Sequence, residues 1–377
     1  MPDAHSRPHQ PHGRSNEAEL QSSAPSGSGA ISDRDVIATA LEWIEGGRGV
    51  ALATVMQTWG SSPRPAGSQC VVSDQMDLAG SVSGGCVEGA VIEAAQRVID
   101  TGQAESLEFQ VVDEEAWSVG LACGGRVRIL VQAVGEEDDL TQVLRELDSL
   151  LARGGAAVVR ISLPDGAATL MPYDAALGFG PSTATAPVLE AAEVALRADR
   201  SEVVEAEGGA AFLCVFNPMP RLVIVGAVHI AQPLAHMGAM AGFDVTVIDP
   251  REVFARADRF PGVRVEQGWP QETLSSIGID HRTAVVSLSH DPKLDDPALA
   301  STLRSPAFYI GALGSRRTHE KRVKRLIEAG FTASEISRIS APVGLDIGAR
   351  SPAEIAVAIL AEVVAGLRRP AQKRSKG

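Results

Sequence analysis

Cysteine is scarce in this 377-residue chain, and its spacing excludes two common structural roles. The four cysteines stand at positions 70, 86, 123 and 214 without a Cys-x-x-Cys pair, which argues against a disulfide framework and against a structural zinc site. No basic start leads into an apolar secretory core, and the longest apolar stretch, IAVAILAEVVAGL, contains Glu362 and is too short to span a bilayer. We therefore expect a cytoplasmic protein without a membrane segment.

Positive charge is also in deficit. The chain has 34 Lys and Arg residues against 47 Asp and Glu residues, a formal net charge of −13. This balance argues against general nucleic-acid binding, which requires a basic face to displace counterions. The apolar fraction of 45% is typical of globular proteins, and the length suits two domains.

The order of predicted elements divides the chain into two domains between two tails. Residues 1–30 are rich in Pro, Ser, Gly and His and predict a disordered tail, and residues 371–377 form a basic tail. Residues 31–218 mix several strands with few helices, which is typical of an α+β domain. Residues 219–370 alternate strands with helices, which predicts a Rossmann-like, doubly wound parallel sheet. The fold class is therefore α/β.

Individual elements follow from hydrophobic periodicity. GVALATVMQT and QCVVSD predict two strands of a hairpin around the loop WGSSPRPAGS. The helices predicted around the candidate site are from about Cys86 to Ile99, over 229–241, from about 295, over 315–329 and over 352–368.

The first strand-to-helix turn of the second domain has an incomplete dinucleotide fingerprint. Gly226 can make the tight turn, Ala231 is an accepted third position, and Asp249 ends the next strand where a ribose acceptor is expected. The middle position is Val228, whose β-branched side chain obstructs the approach of a pyrophosphate. Binding of NAD or FAD and a Rossmann layer without a dinucleotide both stay open.

Three further turns follow predicted strands of the same sheet. SHDPKLDD contains His290 and Asp291, which suit either a catalytic base or a hydrogen-bonded structural role for the histidine. In GALGSRR, the helix start favours phosphate contact by Arg316 and Arg317. The third turn, PVGLDIGARSPAE, contains Asp346. For Lys321 to Arg325 we predict a solvated surface face.

Two cysteines adjoin glycine pairs. In SGGCVEGA, we predict that Cys86 lies in the first turn of a helix, where thiolate is stabilised, and that Gly84 and Gly85 admit a flat ligand. A thiolate there suits a soft ligand such as molybdenum. For Cys123, function and core packing stay equally open, and Cys70 and Cys214 are predicted to be core residues.

The longer motifs resemble the xanthine dehydrogenase accessory factor family, the XdhC/CoxI family. They are TWGSSPRPAGSQ, GSVSGGCVEGAV, GLACGGRVRI, IVGAVHIAQPLA, DPREVFARADRFP, LSHDPKLDDPAL, GALGSRRTHEKR and PVGLDIGARSPAEIAVAILAEV, in this order between about residues 35 and 368. The resemblance implies a non-catalytic maturation factor that binds molybdenum cofactor, protects it during sulfuration and delivers it to a molybdenum hydroxylase. The cofactor is molybdopterin in its mononucleotide or dinucleotide form.

The resemblance also implies a homodimer, a cysteine desulfurase as a further partner, and a set of cofactor-binding residues. In the first domain these are Gly60, Ser61, Arg64, Ser83, Gly84, Gly85, Cys86, Glu88 and Cys123. In the second they are Gly226, His229, Asp249, His290, Asp291, Gly314, Ser315, Arg316, Arg317 and Asp346. Cys86 is the expected ligand of molybdenum. The family usually has glycine where this chain has Val228, which argues against NAD(P) at that turn.

A second function stays open beside the first. An NAD(P)-dependent oxidoreductase would use Gly226 and Asp249 for the cofactor and His290 as the acid or base. The chain itself is too short for a xanthine dehydrogenase and lacks the clustered cysteines of iron–sulfur centres.

Overall fold

The computed structural model describes residues 33–59, 64–85, 87–110, 126–163, 165–206 and 208–368. Within them the chain forms sixteen strands and ten α-helices, arranged around three sheets. No helix in these ranges is both long and apolar enough to cross a membrane.

Two antiparallel sheets of five strands occupy the first part of the chain. The first sheet contains β1 (Val50–Trp59), β2 (Gln69–Ser73), β3 (Leu78–Gly80), β4 (Glu105–Gln110) and β5 (Arg126–Val134), in the order β3-β2-β1-β5-β4. The second contains β6 (Ala156–Ser162), β7 (Ala168–Asp174), β8 (Gly178–Phe179), β9 (Glu202–Ala206) and β10 (Gly209–Phe216), in the order β8-β7-β6-β10-β9. The predicted β1–β2 hairpin is present, with Thr54 opposite Gln69 at the end of the ladder nearest its loop.

Four helices cover these sheets. They are α1 (Asp33–Glu45), α2 (Glu88–Thr101), α3 (Asp139–Ala152) and α4 (Ala186–Ala198). Apolar residues of α1, α3 and both sheets share one core, to which α1 contributes Val36, Ile37 and Ala40 from one helical face. The other face of the first sheet is covered by α2, and the other face of the second sheet by α4.

The rest of the chain forms a parallel sheet with helices on both faces. Its strands are β11 (Arg221–Val225), β12 (Asp244–Ile248), β13 (Arg264–Glu266), β14 (Thr283–Ser287), β15 (Tyr309–Ala312) and β16 (Ile339–Ser340), and all pairs are parallel. The helices are α5 (Ala231–Met240), α6 (Pro270–Ile277), α7 (Pro292–Leu303), α8 (Arg316–Glu328), α9 (Ala333–Ile336) and α10 (Pro352–Arg368). The strand order β13-β12-β11-β14-β15-β16 is the doubly wound order of a Rossmann fold, so the predicted fold class is confirmed.

This topology positions the predicted turns. Because all six strands are parallel, the segments that follow their carboxyl ends lie along one edge of the sheet. The strand order reverses between β11 and β14, where the crevice of such a sheet opens.

Two helix boundaries differ from the predictions in ways that affect the site. Helix α2 begins at Glu88, two positions later than predicted, with Val87 as its N-cap residue. Helix α7 begins at Pro292, about one turn before the predicted start, because Asp291 caps it by accepting from the Lys293 N–H. Helix α10 spans the predicted residues.

Candidate functional site

The Ser-Gly-Gly segment at residues 83–85 folds around the carboxylate of Glu88. Oε1 accepts from the Ser83 N–H at 3.0 Å and from the Ser81 hydroxyl at 3.1 Å. Oε2 accepts from the Ser83 hydroxyl at 2.5 Å and from the Val87 N–H at 3.2 Å. Ser83 Oγ in turn accepts from the Gly85 N–H at 3.2 Å. A carboxylate with this many donors organises the backbone on both sides of the cysteine.

Glu88 also alters the electrostatics predicted for this turn. Burial opposes ionisation of its carboxyl group, but hydrogen bonds, that from Ser83 first, outweigh burial and hold the pKa of Glu88 below its ordinary value. The positive end of α2 is therefore already paired with a carboxylate in its first turn. The partial positive charge of this helix end is thereby offset, and the thiolate predicted for Cys86 stays a prediction. Cys86 itself lies outside the described residues.

The glycines of this segment are exposed, as a binding surface requires. Gly84 and Gly85 both face solvent. Gly85 has φ +104° and a Cβ added there would meet open space, so its backbone conformation, and no nearby atom, requires glycine.

Arg64 connects the hairpin loop to the same turn. Its Nε donates to the Ser81 carbonyl at 3.2 Å. Gly67, further along the loop, has φ +92°, and a Cβ added there would lie 2.9 Å from Ser201 Cβ of the neighbouring segment. A cavity of about 590 Å³ opens beside this loop and is lined by residues 65–68 and 199–203 among others. Gly60 and Ser61 lie outside the described residues.

The cysteines predicted to be core residues are buried. Cys70 is 0% exposed in β2 and Cys214 is 1% exposed in β10, so that prediction is confirmed. Burial, and after it the charge of Glu88, raises the pKa of the Cys70 thiol to about 12. Cys70 is therefore unreactive at neutral pH. Cys123 lies outside the described residues.

The first turn of the parallel sheet is closed by side chains from later segments. Gly226 has φ +99°, and a Cβ there would lie 2.9 Å from the Ser289 backbone nitrogen. The Ala227 N–H donates to Asp249 Oδ2 at 2.8 Å, and the Ala227 carbonyl accepts from Arg259 Nη1 at 2.9 Å. Val228 packs against the core of the sheet. This turn thus has one fewer backbone donor to offer a phosphate than a free glycine-rich loop.

Asp249 is fully buried and its acceptor positions are occupied. Besides Ala227, it accepts from the Arg251 backbone N–H at 3.0 Å and from Arg251 Nε and Nη2 at 2.9 and 2.7 Å. Burial alone would raise the pKa of Asp249, but these hydrogen bonds outweigh it and lower the pKa. The Arg251 guanidinium also stacks on the Phe254 ring at 4.1 Å. The residue predicted to bind a ribose is therefore held by the protein itself.

His290 and Asp291 lie where the strand order of the sheet reverses. His290 is exposed and has φ +61°, a left-handed conformation that is uncommon for residues other than glycine. The hydrogen bond to Asp249 raises the pKa of Arg251, and the charge of Asp291 adds to this effect. Of the other two predicted residues at this edge, Asp346, in the loop after β16, is exposed, and His229 lies just before α5.

The turn before α8 forms as predicted. Gly314 has φ +135°, and Ser315 caps the helix by accepting from the Thr318 N–H at 3.2 Å. Arg316 and Arg317 are exposed in the first helical turn.

The prediction of a solvated face over Lys321 to Arg325 is wrong for Arg322. That side chain is 1% exposed and lies beside the equally buried Asp295 of α7, at 3.4 Å. Asp295 Oδ1 accepts from the hydroxyls of Ser287 and Ser289 at 2.6 and 2.5 Å. The sequence contained a signal for both residues, because Arg322 precedes the buried Leu326 by four positions and Asp295 precedes the buried Leu299 by four.

The described site residues therefore form three groups. One surrounds Glu88 at the start of α2, one surrounds Asp249 at the first turn of the parallel sheet, and one lies between α7 and α8. In the described ranges, no group of three or more His, Cys, Asp and Glu residues is arranged to hold a metal ion.

Comparison with known proteins adds three findings. Residues 43–110 match the family described as XdhC and CoxI family, and residues 222–363 match the family described as XdhC Rossmann domain. The molybdenum cofactor insertion chaperone PaoD of Escherichia coli is 28% identical over 331 residues, covering 88% of this chain and 87% of its own length. A Bacillus subtilis protein named as a probable xanthine dehydrogenase subunit is 26% identical and covers 85% of this chain and 94% of its own.

A solved structure is similar over most of the chain. The crystal structure of a xanthine dehydrogenase from Bacillus halodurans superposes with a TM-score of 0.66 at 26% sequence identity. The match covers 90% of this chain and 97% of the other.

Proposed function

The chain belongs to the XdhC and CoxI family, and we propose on that premise that it binds molybdenum cofactor and delivers it to a molybdenum hydroxylase. The observation that carries the proposal is the similarity, over 88% of this chain, to a protein named as a molybdenum cofactor insertion chaperone. In this proposal the protein itself is not catalytic. It shields the cofactor during sulfuration and releases it to the client enzyme.

The first turn of the parallel sheet favours this function over an NAD(P)-dependent oxidoreductase. A dinucleotide needs a close approach to the turn and a carboxylate free to accept from the ribose. Here Val228 occupies the middle position of the turn, and the Asp249 carboxylate is buried with four donors around it. Asp249 acts in our proposal as a positioning residue for the turn.

The donor set of the chain fits a pterin that has a dithiolene and a phosphate. Soft metals prefer thiolate ligands, and Cys86 adjoins two exposed glycines that leave room for a flat ring system. When bound, the cofactor supplies the molybdenum chemistry of the client enzyme. The contribution of this chain is to hold the cofactor and to exclude water. Ser83 and Glu88 fix the backbone beside Cys86, and the basic turn at α8 contacts the phosphate.

Further parts of the proposal come from the family resemblance alone. Homodimerisation, contact with a cysteine desulfurase and a cytoplasmic location stay predictions, as do the remaining cofactor-binding residues. The division into two domains at about residue 218 also stays a prediction.

The test is whether the purified protein contains cofactor and whether Cys86 retains it. We expect protein from cells that make the cofactor to release a fluorescent oxidised pterin after acid oxidation and to contain molybdenum. Cys86→Ser keeps the size of the side chain and should lose most of this molybdenum, with a melting temperature close to that of the wild type. It should also fail to activate the client hydroxylase.

Two comparisons make this test specific. Cys123→Ser decides whether one thiolate or two hold the metal. Cofactor retention by Cys86→Ser at the wild-type level would assign that cysteine to packing. A saturable rise of the melting temperature with millimolar NAD or NADP would instead support the oxidoreductase, because a ligand that binds the native state stabilises it by mass action.

A further inference from the structure

A small basic cavity lies between α7 and α8, beyond the carboxyl ends of β14 and β15. Its volume is about 210 Å³, below the roughly 300–1,000 Å³ of pockets that enclose drug-sized ligands. Its charged and titratable lining side chains are His290, Asp295, Arg317, Lys321, Arg322 and Arg325. The cavity therefore has room for a small ionic group and a few water molecules, since each water occupies ~30 Å³.

Arg322 is the buried wall of this cavity and is incompletely bonded. Its Nη2 donates to the Leu313 carbonyl at 3.0 Å and lies 3.4 Å from Asp295 Oδ2. Its Nε and Nη1 are buried without a hydrogen-bond partner among the described residues. Buried donors of a charged group are costly to leave unpaired, so the side chain has unused capacity for an oxygen-rich anion.

The charges around the cavity do not cancel. Arg322 faces Asp295, and Arg325 is paired with Asp296. Arg317 and Lys321 lie four positions apart on the exposed side of α8, and within the described ranges no carboxylate lies within ion-pair distance of either. Two positive charges thus remain unbalanced, which matches a phosphate monoester at neutral pH. The amino-terminal end of α8, which is capped by the neutral Ser315 and has no acid in its first turn, adds partial positive charge.

We propose that this cavity binds a phosphoryl group through Arg317, Lys321 and the buried Arg322. The phosphate contact then lies away from Ser315, whose hydroxyl caps α8, and from Arg316, which does not line the cavity. That this phosphoryl group belongs to the molybdenum cofactor rests on the proposed function. That the cavity binds a phosphoryl group does not rest on it.

Calorimetric titration with inorganic phosphate tests the site without the cofactor. We expect saturable binding by the wild type that weakens as chloride is raised, because contacts at a partly open site are screened. The double variant Arg317→Ala/Lys321→Ala should bind at least ~10-fold more weakly, since charge-assisted contacts are lost. The matched control Arg304→Ala/Lys324→Ala removes the same charge from exposed positions outside the cavity lining and should bind like the wild type.

Arg322→Lys tests the buried wall. It keeps the positive charge and removes the guanidinium donors, so phosphate binding should weaken although the net charge is unchanged. If this variant does not fold, the comparison of Arg317→Ala/Lys321→Ala with its control still tests the proposal. Equal affinity in the two double variants, or no saturable phosphate binding by the wild type, would overturn the proposal.

The source of the phosphate is decided in two further arms. If the cofactor supplies it, excess phosphate should release pterin from the wild type, and Arg317→Ala/Lys321→Ala should retain less pterin than its control. Adenosine monophosphate could instead bind more tightly than phosphate while the Arg317→Ala/Lys321→Ala variant retains as much pterin as its control. The phosphoryl group would then belong to a free nucleotide, and its assignment to the cofactor would fail. Absence of pterin from every variant, with phosphate binding intact, would contradict the proposed function and leave the site standing.

Discussion

Asp249 shows how one buried carboxylate can fix a turn that the sequence presents as a nucleotide site. It connects the Ala227 N–H, at the end of β11, to Arg251, which follows β12. Gly226 predicts the tight turn, and the structure contains it. The sequence could not show that Asp249, expected to bind a ribose, already accepts hydrogen bonds from the protein itself. Those bonds depend on how the ends of β11 and β12 lie beside each other.

We predict that Asp249→Asn weakens this turn in a pH-dependent manner. Loss of the charge-assisted bonds should lower the free energy of unfolding by about 2 kcal/mol at neutral pH. Because the folded pKa of Asp249 lies below its unfolded value, the contribution is present at neutral pH and is lost as pH falls below about 5. The difference between variant and wild type should therefore shrink in acid, as measured by denaturant unfolding.

Hydrogen exchange at the Ala227 amide gives a local measurement of the same change. Exchange should be faster in Asp249→Asn. Asp244→Asn, at the exposed start of β12, is the control. It should leave the free energy of unfolding and the exchange rate at Ala227 near those of the wild type. Unchanged exchange at Ala227 in Asp249→Asn would contradict the role given to this carboxylate.

At the scale of the element, the turn before α2 combines a cysteine with a neighbouring acid. Glu88 lies two positions after Cys86 and is held ionised by the hydrogen bonds of residues 81–87. A negative charge close to a thiol disfavours the thiolate. The same charge contributes to the raised pKa of Cys70.

Glu88→Gln should accordingly make the Cys86 thiol more reactive. We expect its alkylation rate at neutral pH to rise by roughly a few-fold, because loss of a neighbouring negative charge favours the reactive thiolate. Mass spectrometry of the labelled peptides separates Cys86 from Cys70 and Cys214, which should stay unlabelled. Glu93→Gln, on the exposed face of α2, is the matched control, and equal alkylation rates of Cys86 in the two variants would refute the effect.

The accuracy of the sequence predictions varied with the strength of each pattern. The continuous apolar run of β11 and the long apolar face of α10 gave the parallel sheet and its last helix correctly. Strand β7 was missed because only Met171 in it is buried, and Pro172 interrupts its pattern. The start of α2 was predicted too early because its acidic first turn depends on side-chain bonds to Ser81 and Ser83, which periodicity does not reveal.

At the scale of the whole molecule, a group of charged residues joins the antiparallel and parallel parts. Asp199, which ends α4 with φ +52°, accepts from Asn217 Nδ2 at 2.7 Å and from Arg282 Nη1 at 3.3 Å. Arg282 is 6% exposed and also donates to the Pro218 carbonyl at 2.8 Å. Arg368, at the end of α10, pairs with the other oxygen of Asp199. We call these residues the Asp199 junction.

We predict that Asp199→Asn destabilises the protein by about 2–3 kcal/mol at neutral pH, since Arg282 is then buried without its carboxylate. Burial would raise the pKa of Asp199, but the charge of Arg282 and the other donors outweigh it and lower the pKa. The stabilisation is thus present at neutral pH and disappears in acid. Urea midpoints with an unchanged m value measure it.

The exposed Asp165→Asn is the control for this measurement and should stay within about 0.5 kcal/mol of the wild type. A midpoint for Asp199→Asn equal to that of Asp165→Asn would mean that the Asp199 junction adds nothing to stability.

The Asp199 junction also has a consequence for biosynthesis. Asp199 and Arg368 are 169 positions apart in the chain. At about 5–20 residues per second, a ribosome adds the arginine roughly 10–30 s after the aspartate. Any folding of the antiparallel sheets during that interval takes place without the pairing to Arg368, which can form only after α10 has emerged.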